Sequence, residues 1–351
     1  MRKRFTYFGF LLILLSSCEE YYRPVIDQTT VQLVVDAQIT NDTTNSYVHL
    51  TKSRDFYSDL PVELVSGAKV ELIEINGKVT LGKENGTGKF TFGYIPVTGK
   101  NYQLRITVDK DVYESEVVTM PPLPEISNYY SADKEQKTYK TDAIGLPYAS
   151  ISQGRELYFD LPVSNSISNY RFYVRSVLEW VYYNLKKSPP PPPVYGWESH
   201  YDNSSYNLAG TQKSNVSVSK IEQHPLLWLS YSSEYYLQTD TLISNGWIII
   251  VDQYGTTSGS YNYHQQLNNQ LAASGSLFDP IQTQINGNLT CKTNPSKIVF
   301  GYFDLNSYRQ VRYFMFLSSP LAAIKLRQLY DFPFIPENGL ANGFPPDWWQ
   351  Q

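Results

Sequence analysis

From Val31 the chain alternates between two kinds of side chain. Val31, Leu33, Val35, Ala37 and Ile39 share one face, while Gln32, Asp36 and Gln38 share the other. A period of two over this length requires an extended strand with one side in a core and the other on a polar surface. The pattern recurs downstream. Val48 and Leu50 predict a second strand, and Ala68, Val70 and Leu72 a third; Asn76-Gly77 separates the latter from Val79–Leu81. Asn-Gly between apolar runs signals a hairpin, because both turn positions need positive φ. Gly86 and Gly88 mark another turn before Phe90 and Phe92, and Asp109-Lys110-Asp111 joins the alternating Tyr102–Val108 to Tyr113–Val118. Roughly seven strands in about 95 residues predict a β-sandwich, immunoglobulin-like or transthyretin-like, over residues 29–120.

Pro121, Pro122 and Pro124 cannot donate to a ladder, so residues 121–125 are expected to be a linker. A second, larger β domain is expected over 126–351. Its strand candidates are Leu157–Val163, Tyr170–Leu185, Trp247–Val251, Ile298–Phe303 and Arg312–Leu317. Tyr263, Leu267 and Leu271 recur every fourth residue and predict one short helix between Tyr261 and Ala273. Residues 186–246 form a long polar insertion that opens on Pro189–Pro193, a stiff polyproline run. Val216, Val218 and Leu226–Leu229 predict further strands inside it. The fold class is therefore all-β.

The N-terminus bears on location. Arg2, Lys3 and Arg4 precede an apolar run from Phe8 to Leu15, too short to cross a bilayer as a helix and suited to an export signal. Leu15-Ser16-Ser17-Cys18 resembles a bacterial lipobox. Residues 1–17 are thus expected to be a signal peptide, Cys18 the lipid-attachment site, and 18–28 a membrane tether. Glu19 and Glu20 resemble a surface-export signal, which favours the outer face of an outer membrane. Lipidation of Cys18 leaves Cys291 without a partner in the chain, so no disulfide framework is expected and a buried structural thiol is the reading for Cys291.

Net charge is −4, which argues against a nucleic-acid footprint. There is no phosphate-binding glycine loop, HExxH pair or nucleophile elbow. His49, His200, His224 and His264 are scattered, and His264 has no second ligand at helical spacing. Asp279 before Pro280 reads as a turn residue, and Asp304 as the end of a strand. No catalytic residue, cofactor or metal is expected, and the chain does not read as an enzyme.

Val65–Val70, Gly88–Phe92 and Tyr102–Leu104 resemble carboxypeptidase-regulatory-like sandwiches. Four later stretches occur in a characteristic order: Tyr263-His264-Gln265-Gln266-Leu267, Gly275–Pro280, Ile285-Asn286-Gly287-Asn288-Leu289 and Val299-Phe300-Gly301-Tyr302-Phe303. With Pro346-Asp347-Trp348-Trp349 they resemble the Bacteroidetes lipoproteins of domain of unknown function 4249. Many members carry a cysteine pair near the end, absent here from Asn338 to Pro346. The resemblance implies an accessory to a TonB-dependent outer-membrane receptor in ligand capture or uptake. The alternatives are an adhesion or structural surface protein and, further off, a hydrolase. Within that picture Tyr195, Trp197, Tyr201, Tyr206 and Trp228 give the insertion two equal readings, a recognition surface or aromatics that pack it onto the second β domain.

Overall fold

The computed structural model describes residues 31–54, 58–182, 188–189, 194–201, 206–211, 219–230, 242–273, 284–316 and 326–329. Cys18, Asp279, Val216, Val218 and the C-terminal Trp pair lie outside them, as do most of the proline run and the side chains of Tyr195, Trp197, His200 and Tyr201. The chain is all-β, with one α-helix among the described residues. Its first strands are β1 (Leu33–Thr40), β2 (Tyr47–Lys52), β3 (Lys69–Glu74), β4 (Val79–Leu81), β5 (Lys83–Glu84) and β6 (Lys89–Thr91). Then come β7 (Asn101–Val108), β8 (Asp111–Ser115), β9 (Val118–Thr119), β10 (Asn128–Thr141), β11 (Pro147–Pro162), β12 (Asn169–Tyr182) and β13 (Val194–Tyr201). Last are β14 (Asn207–Gly210), β15 (Lys220–Ser230), β16 (Leu242–Thr256), the helix α1 (Ser258–Ala272), β17 (Leu289–Cys291), β18 (Val299–Phe316) and β19 (Leu326–Leu329). The two expected hairpins are present, with φ of 60° at Asn76 and 52° at Asp109.

One large sheet runs β13-β12-β16-β18-β1-β2-β6-β5, so it takes strands from both sides of the proline stretch. The reason is β18, which the sequence pattern divides into two candidates. Its first half pairs in parallel with β1, from Leu33↔Val299 to Thr40↔Asn306, and its second half pairs antiparallel with β16, from Ser307↔Gly255 to Phe316↔Gly246. Asp304 is therefore inside a strand and not at its end. Two asparagines serve the backbone where a partner strand is missing. Asn288 donates to the Phe303 carbonyl at 3.0 Å and accepts from the Phe303 N–H at 2.8 Å, and Asn41 does the same for Tyr308. Buried backbone groups must be paired, and these amides mimic a strand edge.

The odd residues of β18 feed two cores. Val299, Phe303 and Leu305 pack with the β1, β3 and β7 side chains, whereas Val311 and Tyr313 pack with Phe159, Phe172 and Val251. A six-stranded sheet, β17-β8-β7-β3-β4 with β9 on β7, supplies the first core, and the three-stranded sheet β10-β11-β15 the second. Cys291 is buried in the first core, with its Sγ 3.4 Å from Thr293 Oγ1. The expected linker lies against the second half of the chain: Ser307 Oγ donates to the Pro122 carbonyl, and Gln253 Nε2 donates to the Glu125 carbonyl at 3.3 Å.

This sharing bears on the division at 121–125. Residues 31–120 alone would lose Leu289, Val299, Phe303 and Leu305 from their core. At roughly 1.5–3 kcal/mol per large apolar side chain that is roughly 6–12 kcal/mol, comparable with the whole stability of a domain. The isolated segment is expected to give a collapsed amide spectrum by NMR. A dispersed spectrum would establish the sandwich as an independent unit.

Candidate functional site

The even residues of β18 and the polar side of β1 face away from both cores. Gln38 is paired with Asp304 and Asp36 with Tyr302 across the β1–β18 register, which places all four on that side. The next strands add Arg171 and Tyr173 from β12, and Asp252 and Tyr254 from β16. Helix α1 begins where β16 ends. Its N-cap is Thr257, whose side chain accepts from the Ser260 N–H at 3.2 Å. The helix contacts β12 and β18 and contributes Tyr263, His264 and Leu267. Tyr206 closes the wall, its backbone held at both ends by the Asn268 side chain, with Tyr206 N donating to Oδ1 at 2.6 Å. Together these groups and Tyr47 enclose a cavity of about 550 Å³.

Beneath the cavity sits a buried polar triad. His264 Nε2 is 2.7 Å from Asp304 Oδ2, Arg171 Nη1 is 3.5 Å from the same oxygen, and Nη1 and Nε2 are 3.0 Å apart. A guanidinium cannot accept a hydrogen bond, so Nε2 cannot satisfy both neighbours. The carboxylate is the stronger partner, and the imidazole N–H goes to Asp304. Arg171 also donates through Nη2 to Gln38 Oε1 at 2.6 Å, and its guanidinium lies 4.7 Å from the Tyr254 ring centroid. Burial raises the Asp304 carboxyl, but Arg171 and then His264 outweigh it and hold the pKa down at about 2. Asp36 at the mouth shows the opposite balance: burial and the nearby Asp304 raise its carboxyl against the pull of His49.

The walls are aromatic. Tyr263 stacks on Tyr302 at 4.6 Å between centroids, and Tyr206 leans on His264 at 4.8 Å. Burial pushes the Tyr254 and Tyr263 hydroxyls up to about 12, and those of Tyr47 and Tyr302 rise as well. These groups present neutral O–H and ring faces, not phenolates.

Of the residues weighed on the sequence, His264 and Asp304 meet here. His49 stands opposite Asp36 on β2, and His224 lies elsewhere, stacked on Phe172 and bonded through Nε2 to Asn207 Oδ1 at 2.6 Å. No group of three or more His, Cys, Asp or Glu side chains able to hold a metal occurs among the described residues. A Ser–His–Asp relay would need a hydroxyl at the free ring nitrogen. Ser260 lies one turn before His264, but neither Ser260 Oγ nor His264 Nδ1 has a hydrogen-bond partner among the described residues. Arg171, Gln38 and Asp36 were missed as site residues. The polar side of β1 was the one available signal for two of them.

The glycine-containing stretches of the sequence have a structural purpose at this site. The Gly287 Cα lies so close to the Gly301 carbonyl that an added Cβ would stand 1.7 Å from that oxygen, and Asn288 follows with its pair of bonds to Phe303. These contacts hold the part of β18 that presents Tyr302 and Asp304. A family model described as domain of unknown function (DUF4249) matches residues 19–312. The chain belongs to this family. The DUF4249 match covers every residue that lines the cavity. No curated protein and no solved structure matches the chain.

Proposed function

We propose that this DUF4249 protein is a lipid-anchored outer-membrane lipoprotein, facing the cell surface, that captures a small ligand for a TonB-dependent transporter. The observation that carries the reading is the cavity. Its volume lies in the range typical of small-molecule sites, and it combines aromatic walls with a few fixed polar groups. The buried triad below it is arranged to fix charge and geometry, and the site is read as binding and not catalytic. The insertion contributes Tyr206 to the wall, so its reading as a recognition surface and the cavity meet at that residue. The lipobox at Cys18 supplies the anchor, and no described helix is long and apolar enough to span a membrane. Two or more acyl chains give stable attachment, at about 0.8 kcal/mol per buried methylene.

The full chain solubilised in detergent is expected to recover an outer-membrane receptor as its companion. Cys18→Ala is expected to abolish fatty-acid labelling and release the protein from the membrane fraction. Labelling that persists in the Ala variant would remove the anchor. Recovery of other surface proteins in place of a receptor would favour the adhesion alternative.

A further inference from the structure

The charges around the cavity do not balance. Asp36, Asp252 and Asp304 line it with Arg171 and His264, and His49 stands opposite Asp36 on β2, so among the described lining residues three carboxylates face one permanent cation, Arg171. Arg171 faces Asp304 through Nη1 and Gln38 through Nη2, with its guanidinium lying against Tyr254 and its Nε without a hydrogen-bond partner among the described residues. Asp252 accepts from Tyr308 Oη at 2.7 Å and from Gln310 Nε2 at 2.8 Å, neither of which carries charge. Asp36 has a single side-chain contact within hydrogen-bond range among the described residues, the Tyr47 hydroxyl at 3.5 Å. Asp36 is therefore the lining carboxylate with no described cation within hydrogen-bond range, and a carboxylate's strong partners are charged donors.

We infer that the cavity binds an organic cation, a protonated amine on an aromatic or similarly flat apolar body, with its ammonium at Asp36 and its body against the Tyr263–Tyr302 stack. The chemistry is complementary on each count. An ammonium supplies a positive charge and three donors, which suits a carboxylate whose one side-chain contact is a neutral hydroxyl at 3.5 Å. Tyrosine faces attract cations and pack flat rings. An anion would meet the excess of carboxylates, and the guanidinium of the lining already faces one of them, Asp304, through Nη1. A neutral body of the same shape would keep the stacking but leave Asp36 without a charged partner.

The inference rests on the cavity being a ligand site, and three isosteric probes separate the two claims. Binding of 2-phenylethylamine, 2-phenylethanol and phenylacetate to the full-length protein in detergent is measured by ligand-observed NMR and calorimetry at pH 7. The amine is expected to bind at least tenfold more tightly than the alcohol, and phenylacetate not at all. Asp36→Asn is expected to erase the preference for the amine while leaving the thermal unfolding midpoint unchanged. That side chain stands at the mouth and supports no core contact. Equal or tighter binding of the alcohol or of phenylacetate overturns the cation and leaves the cavity a ligand site. Failure of all three probes at millimolar concentration overturns both. An amine preference that survives Asp36→Asn removes Asp36 as the recognising group and overturns the inference as stated.

Discussion

Gly301→Ala is expected to cost about 3 kcal/mol or more and to shift the denaturation midpoint strongly at an unchanged slope. Gly301 sits at φ +94°, a region that side chains with a Cβ avoid, and the new methyl would stand 1.9 Å from the Val35 carbonyl oxygen. That neighbour is backbone in the middle of the parallel β1–β18 register, where Val35 pairs with Gly301, so it has little freedom to retreat. Gly287→Ala attacks the same point from the other side, through the Gly301 carbonyl. The double variant should therefore lose less than the sum of the singles, because both displace one segment. Gly93→Ala, with no atom within 4 Å of the added Cβ, serves as the control and should change stability little. A Gly301→Ala protein as stable as the wild type would mean that β1 and β18 are not paired in this register.

The same strand shows what was legible in the sequence. Alternation in β1 named both of its faces, and the polar one, Asp36 and Gln38, became a wall of the cavity. β18 follows the same period, but its even positions, Tyr302, Asp304, Asn306, Tyr308 and Gln310, are polar, and the first two line the cavity. The apolar signal therefore breaks where the strand turns polar, and one strand reads as two. β10 was not among the expected strands for a different reason: much of it is exposed on both sides, so no apolar period marks it. The triad was beyond sequence reasoning because its members lie far apart: 93 positions separate Arg171 from His264 and 40 separate His264 from Asp304. One local sign was present. Asp304 stands between Phe303 and Leu305 in an otherwise apolar strand entry, and a carboxylate there either ends the strand or is paired in the interior.

Asp304→Ala is expected to destabilise the protein by about 3–5 kcal/mol, the usual consequence of removing one member of a buried ion pair. Arg171 would be left with Gln38 and a tyrosine ring in place of a carboxylate, and its side chain is only 12% exposed. The penalty comes from the charge left behind more than from the bond lost, and two comparisons isolate it. Asp304→Asn keeps an oxygen that can accept from His264 and Arg171, so it should lose less than the Ala variant. The pair Arg171→Met with Asp304→Leu removes both charges and should be less destabilised than either single truncation. Acid gives an independent measure. The folded carboxyl is held at about 2 against an ordinary 3.8, so its ionised form stabilises the fold fully above about pH 4. That contribution is lost as pH falls through the interval toward about 2, because protonation then favours the unfolded chain. The wild type should therefore lose stability over this window by more than Asp304→Asn does, when both are followed by denaturant unfolding at fixed ionic strength. Parallel pH curves for the two proteins would mean that Asp304 is not ion-paired in the folded chain, and the floor of the cavity would have to be redrawn.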